Sequence, residues 1–311
     1  MATKKVAKPN KAIKATKTTK AKPTNTTRPA RTTTVKKVVP VRKATKPNSP
    51  ASALSPEQVG QVLELLKGAN SIELKLSVPL ASHRATIRAI GLDPVEAQPR
   101  QAFFFDTPDL ALNRAGLVVR VRRTQGGTAD TVIKLRPVDP ATIDAELRKS
   151  ASFKVEVDVM PGGFMCSASF KGVCPTNQAR DVTAGLAPLS SLFSKEQRAF
   201  YKAHAPAGLS LDSLSVLGPT FVLKAKHQPK DFDRRIVVEM WLYPDGSRIL
   251  EVSTKGLPAE AFQVGAMFKA YLAKAGVSLG APQETKTKAA LDFYKAKVKS
   301  DLGGVAPATM R

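Results

Sequence analysis

Arg120 and Arg122 stand two positions apart in the run FFFDTPDLALNRAGLVVRVRR, residues 103–123. Side chains alternate across an extended strand, so both guanidinium groups share one face. The same spacing recurs along the chain: Glu73 with Lys75, Lys134 with Arg136, Glu156 with Asp158, Lys224 with Lys226, and Glu251 with Ser253 and Lys255, while Glu239 sits between Val237 and Trp241. Opposite these positions lie Val119, Val121, Ile133, Leu135, Val155, Val157, Val238, Met240, Leu250 and Val252. Alternation alone is the pattern of a half-exposed sheet whose charged face is solvated. Two details point elsewhere. Like charges neighbour each other on single strands, which costs repulsion that a merely solvated face has no reason to bear. The set also combines Arg and Lys, which bind phosphate oxygens, with carboxylates, which bind Mg²⁺ or Mn²⁺; a triphosphate with its divalent cation needs both.

The elements that must position these residues follow from periodicity. Strands are expected at about 71–78, 101–106, 116–124, 130–137, 151–159, 219–227, 234–243 and 247–255. Gln125–Asp130 and Pro244–Ser247 are turn signals, the second resting on Gly246 for a positive φ. Helical patterns occupy about 82–90, 188–204, 258–275 and 284–298, and a first helix starts at Ser55, where Ser-Pro-Glu-Gln supplies a cap, a first-turn proline and a capping-box glutamine. The stretch 160–187, rich in Gly, Pro and Ser, shows no clear period. Hairpins with inserted helices imply one antiparallel sheet of the α+β class rather than a parallel βαβ fold, and no Gly-rich phosphate loop contradicts that. Closed into a barrel, the sheet would turn its charged face into a lumen with room for one small ligand.

The composition separates a tail from the rest. Of 49 Lys and Arg residues, 15 fall in residues 1–54, which hold no Asp or Glu and no aromatic residue; the remainder carries 34 basic against 25 acidic residues. Such a Lys/Ala/Thr/Pro-rich tail has too little apolar content to order itself. It resembles the basic arms of linker-histone-like proteins, which bind polyanions by counterion release, and a solubilising leader is the alternative. The expected organisation is a disordered tail over 1–54, a globular domain over 55–280, and a C-terminal helix and tail over 281–311, where Lys286, Lys288, Lys295 and Lys297 read most simply as a solvated face, with polyphosphate contact the lesser alternative. No secretory or membrane-spanning run is seen, so the expected location is cytoplasmic, with no membrane partner. Cys166 and Cys174 read as reduced thiols, and His83, His204 and His227 have no metal-ligand or triad spacing.

Five stretches, SIELKLSV at 71–78, FFFDTPDLALNRAGLVVRVRR at 103–123, TVIKLRPV at 131–138, FKVEVDV at 153–159 and RRIVVEMWLYPDGSRILEVSTKG at 234–256, together resemble the CYTH domain, or triphosphate tunnel metalloenzyme superfamily, over about residues 70–275. The resemblance implies a closed eight-stranded antiparallel barrel with flanking helices, enclosing a tunnel that binds a triphosphate with Mg²⁺ or Mn²⁺. By position, Lys75, Arg120, Arg122, Lys134, Arg136, Lys224 and Lys226 would hold phosphates, with Lys75, Arg120 and Arg122 nearest the chemistry. Glu73, Glu156, Asp158, Glu239 and Glu251 would hold metal or orient the attacking water. The activity implied is hydrolysis of an inorganic or organic triphosphate; the alternatives are a non-catalytic polyphosphate or nucleotide binder, with nucleic acid held by the tail, and an adenylyl cyclase. Two positions depart from the family signature. Ser71 replaces the first carboxylate of Glu-x-Glu-x-Lys, and Ser253 replaces a second carboxylate on the last strand. A hydroxyl is a weak ligand for a hard cation, so slow turnover or a single metal is expected.

Overall fold

The computed structural model describes residues 55–279, 283 and 286–303; the expected tail over 1–54 and residues 304–311 lie outside the described residues. Helix α1 (Pro56–Lys67) begins as the sequence implies, with Ser55 and Gln58 forming a capping box. Nine strands follow: β1 (Ser71–Val78), β2 (Gln98–Asp106), β3 (Leu117–Thr124), β4 (Ala129–Leu135), β5 (Phe153–Met160), β6 (Gly163–Cys174), β7 (Ser215–His227), β8 (Ile236–Leu242) and β9 (Arg248–Gly256). Between and after them lie α2 (His83–Ala89), α3 (Ala111–Arg114), α4 (Ala145–Lys149), α5 (Thr176–Thr183), α6 (Lys195–His204), α7 (Ala261–Lys274) and α8 (Lys286–Gly303).

The strands close into a barrel in the order β1-β5-β6-β4-β3-β2-β7-β8-β9, and β9 returns to β1. Neighbours are antiparallel except β1 and β5, which run parallel. The barrel is therefore nine-stranded and mixed, where eight antiparallel strands are expected from sequence. The additional strand is β6, within the stretch that shows no clear period. Cys166 to Phe170 are buried on both faces, the inward positions Ser167 and Ser169 carry hydroxyls rather than charges, and Ala168 contributes little apolar contrast.

The expected apolar face points outward. Ile72, Phe103, Phe105, Val119, Val121, Ile133, Val155, Val157, Val238, Leu250 and Val252 join one buried cluster with Val62 and Leu66 of α1, Ala179 and Val182 of α5, Phe200 of α6 and Val264 and Phe268 of α7. Burying this face under helices is the main apolar contribution to the fold. A second apolar cluster lies inside the barrel at one end. There Phe104, Val118, Leu217, Val222 and Trp241 enclose Ala290, Leu291 and Tyr294, so α8 closes that end. Tyr243 Oη donates to the Lys286 carbonyl at 3.1 Å, and Thr220 Oγ1 and Tyr294 Oη lie 3.3 Å apart.

The DTPDLAL stretch is structural. Asp106 is buried, and its carboxylate accepts from the backbone N–H groups of Thr107, Leu112 and Asn113 at 2.7, 2.8 and 2.9 Å, tying the end of β2 to α3. No helix among the described residues is long and apolar enough to cross a membrane.

Candidate functional site

Strand register brings the charged positions level inside the barrel. Arg122 faces Asp130 across β3–β4, Lys224 faces Glu239 across β7–β8, and Glu239 faces Glu251 across β8–β9. Across the parallel β1–β5 pair, Ser71 is level with Glu156 and Glu73 with Asp158. The resulting cavity of about 310 Å³ is lined by Lys75, Arg120, Arg122, Lys134, Arg136, Lys171, Lys224, Lys255 and Lys286 and by Glu73, Glu156, Asp158, Glu239 and Glu251. Nine basic groups against five carboxylates leave an excess of four positive charges, a lumen suited to a polyanion.

The cations fall into two groups. On the β3 side, Arg122 Nε is 2.7 Å from Asp130 Oδ2, whereas Arg120 reaches Asp130 only at 3.8 Å. Arg120 Nε is buried and makes no hydrogen bond among the described residues. Burial, then the neighbouring Arg122, lowers the pKa of Arg120, although a guanidinium stays cationic at neutral pH. Burial likewise lowers Arg136, Lys134 and Lys224, opposed by Asp158 in the first two and by Glu239 in the third.

The other cations sit among the carboxylates. Lys75 Nζ lies 2.8 Å from Asp158 Oδ1 and 3.2 Å from Glu73 Oε2, and Lys134 Nζ lies 3.4 Å from Asp158 Oδ2. Lys255 pairs with Glu156 and lies 3.6 Å from Glu73 Oε2. Lys224 Nζ is 2.6 Å from Glu239 Oε1, and Lys286 Nζ contacts Glu239 Oε2 and lies 2.7 Å from Glu251 Oε1. Burial acts to raise Glu73, but Lys75, Lys255 and Lys286 outweigh it and hold the carboxyl at about 2. The same contest, won by lysines, lowers Asp158 and Glu239. The two serines at departing positions turn toward the carboxylates that remain: Ser71 Oγ donates to Glu156 Oε2 and Ser253 Oγ to Glu73 Oε1, each at 3.3 Å.

Glu73, Glu156 and Asp158 each offer an oxygen, and the three lie within 4.8 Å of one another. Hard oxygen donors at this separation fit Mg²⁺ or Mn²⁺. Cys166 and Cys174 are buried and free, with burial raising both thiols. His83 Nε2 lies 3.0 Å from the Val78 carbonyl oxygen, and His204 packs on the Phe200 ring.

Eleven of the twelve expected site residues line the cavity. Lys226 does not: β2 starts at Gln98, level with Lys224, so Lys226 lies beyond the β2 edge, exposed at the rim beside Arg100 and His227. Lys171, Lys255 and Lys286 line the cavity and are missing from the expected set, as is Asp130, which lies outside the lining and pairs with Arg122. Lys255 continues the alternation of Glu251 and Ser253, and Asp130 belongs to the turn opposite Arg122, so both carried a signal. Lys171 belongs to the unrecognised β6. Lys286 lines the tunnel, half-buried, instead of lying on a solvated face; Ala290, Leu291 and Tyr294, one and two turns on, mark the buried side of α8.

No protein-family model and no curated protein matches the sequence. Solved structures do. One is a candidate adenylyl cyclase from Hippeastrum described as having a dominant triphosphatase activity, at 16% identity and TM-score 0.50, covering 77% of this chain and 99% of that one. Another is a candidate adenylate cyclase from Bacillus halodurans, at 14% identity and TM-score 0.51, covering 71% of this chain and 98% of that one. At these identities the likeness is one of fold alone.

Proposed function

We propose, from the premise of a triphosphate tunnel fold, that the barrel binds the phosphate chain of an inorganic or organic triphosphate and hydrolyses a phosphoanhydride bond in it. The observation that supports this most is Arg120, a half-buried side chain whose buried Nε lacks a hydrogen-bond partner among the described residues and whose pairing to Asp130 is long. A buried donor left unmatched is costly, and phosphate oxygens match it. In this reading Arg120, Arg122, Lys134, Arg136 and Lys224 hold nonbridging oxygens, and Lys75, fixed between Asp158 and Glu73, faces the transferring group. Glu73, Glu156 and Asp158 would hold Mg²⁺ or Mn²⁺, which when bound offsets charge on the phosphoryl oxygens. The apolar cluster around α8 keeps bulk water from the closed end.

A second reading has its own support. Each of the five carboxylates has a lysine partner, so the tunnel is internally neutralised where a metal would be needed. That favours a binder of triphosphate or polyphosphate with little turnover. In either reading the Lys-rich segment 1–54, proposed as a separate tail on the domain, adds affinity for polyanions such as nucleic acid.

The deciding assay is phosphate release from tripolyphosphate, ATP and thiamine triphosphate with Mg²⁺ or Mn²⁺, for wild type, Glu73→Gln and Arg122→Ala. Turnover lost in both variants supports the hydrolase. Binding without turnover, weakened by Arg122→Ala, supports the binder, and no binding at all overturns both.

A further inference from the structure

Glu239 and Glu251 face each other as register partners across β8 and β9, and both are buried. Like charges placed directly opposite repel, and in a buried setting they require a cation between them. Lys286 supplies it. Its ammonium contacts Glu239 Oε2, lies 2.7 Å from Glu251 Oε1, and sits 5.4 Å from the centre of the Trp241 ring. Trp241 Nε1 donates to the same Glu239 Oε2 at 3.2 Å.

This ammonium is held in place by the helix that carries it. Lys286 is the first residue of α8, its carbonyl accepts from Tyr243 Oη, and Leu291 and Tyr294 anchor the following turns in the closed end of the barrel. The contrast with the other carboxylate group is one of mobility. Lys255, which pairs with Glu156 and Glu73, has a side chain 50% exposed and can swing out to admit an ion, leaving Lys75 on Glu73 and Asp158, whereas Lys286, the cation shared by Glu239 and Glu251, has a side chain 16% exposed on a docked helix. Ser253, the next inward position on β9, turns its hydroxyl to Glu73 and gives the Glu239–Glu251 pair no third carboxylate.

We propose that the Lys286 ammonium is a tethered cation that takes the place of a divalent ion between Glu239 and Glu251, so that metal enters the tunnel only at Glu73, Glu156 and Asp158. This rests on the metal reading of the tunnel given above. Two carboxylates are enough for the protein's share of a Mg²⁺ or Mn²⁺ site, so removing the ammonium opens the space between them, with Lys224 still on Glu239 Oε1 at 2.6 Å.

The test counts Mn²⁺ bound per full-length chain, without substrate, by electron paramagnetic resonance of the free ion. Wild type is compared with Lys286→Ala, with Lys286→Met, which keeps the apolar stem, and with each combined with Glu251→Gln; thermal melting checks folding. The expected result is one additional Mn²⁺ in the Lys286 variants, lost again on adding Glu251→Gln, with no change for Glu251→Gln alone. An unchanged count in the Lys286 variants, or a lower count in Glu251→Gln alone, overturns the proposal. Failure of the hydrolase reading would appear separately, as absent phosphate release with the difference in Mn²⁺ count intact.

Discussion

Lys75 Nζ and Asp158 Oδ1 lie 2.8 Å apart across the parallel strands β1 and β5, with side chains 16% and 10% exposed. Removing one member of a buried ion pair leaves the other uncompensated, and among the described residues Asp158 would keep only Lys134 at 3.4 Å. Lys75→Met is expected to cost about 3 kcal/mol of stability, read as a lower denaturation midpoint at unchanged slope. A shift within error would mean that Lys134 alone satisfies Asp158.

Arg120 has the opposite expectation. Burial and Arg122 oppose its charge, and its contact with Asp130 is long. Arg120→Ala should therefore leave the melting temperature unchanged or raise it, while lowering triphosphate turnover by roughly 10²–10³-fold, the usual cost of one donor aimed at developing charge. A fall in melting temperature with turnover preserved would make the residue structural.

Acid stability depends on Glu73. Its carboxyl is held at about 2, below its ordinary 4.5, so the charged form is favoured by the fold. That contribution is fully present above pH 4.5 and is lost as pH falls toward 2. Glu73→Gln should flatten the stability-versus-pH curve within that window in urea titrations. An unaltered slope would place the acid sensitivity elsewhere, with Asp158 and Glu239 the next groups to test.

Gly116 positions Arg136. Its φ is 76°, its carbonyl accepts from Arg136 N at 2.9 Å, and a Cβ there would run into the Arg136 carbonyl oxygen. Gly116→Ala is expected to destabilise by more than about 1 kcal/mol and to weaken tripolyphosphate binding through a displaced Arg136. Binding retained at full strength in a folded variant would separate Arg136 from the phosphate site.

What could be seen in the sequence follows from the range over which each feature is determined. The inward Arg120 and Arg122 and outward Val119 and Val121 were legible because alternation is local to one strand. Ser167 and Ser169 hid β6, since a hydroxyl facing a lumen gives no charge contrast with Cys166 and Ala168. Lys226 continued the alternation of β7 correctly, yet where the barrel rim falls depends on where β2 begins. Lys286 was least legible. Its place is fixed by how α8 docks, which Tyr294 and Leu291 decide against residues far away in the chain.

The parallel β1–β5 contact has a cause in parity. Strands alternating up and down around a ring can all be antiparallel only when their number is even; nine cannot, and one like-directed junction is unavoidable. In this barrel that junction sets Ser71 beside Glu156 and Glu73 beside Asp158. The same junction, forced by an odd count, thus gathers the acidic trio. Loss of β6 would leave β5 beside β4, which runs in the same direction, and would add a second parallel junction to β1–β5; only reversing β5 would make the ring wholly antiparallel, and that would undo the register in which the three carboxylates converge.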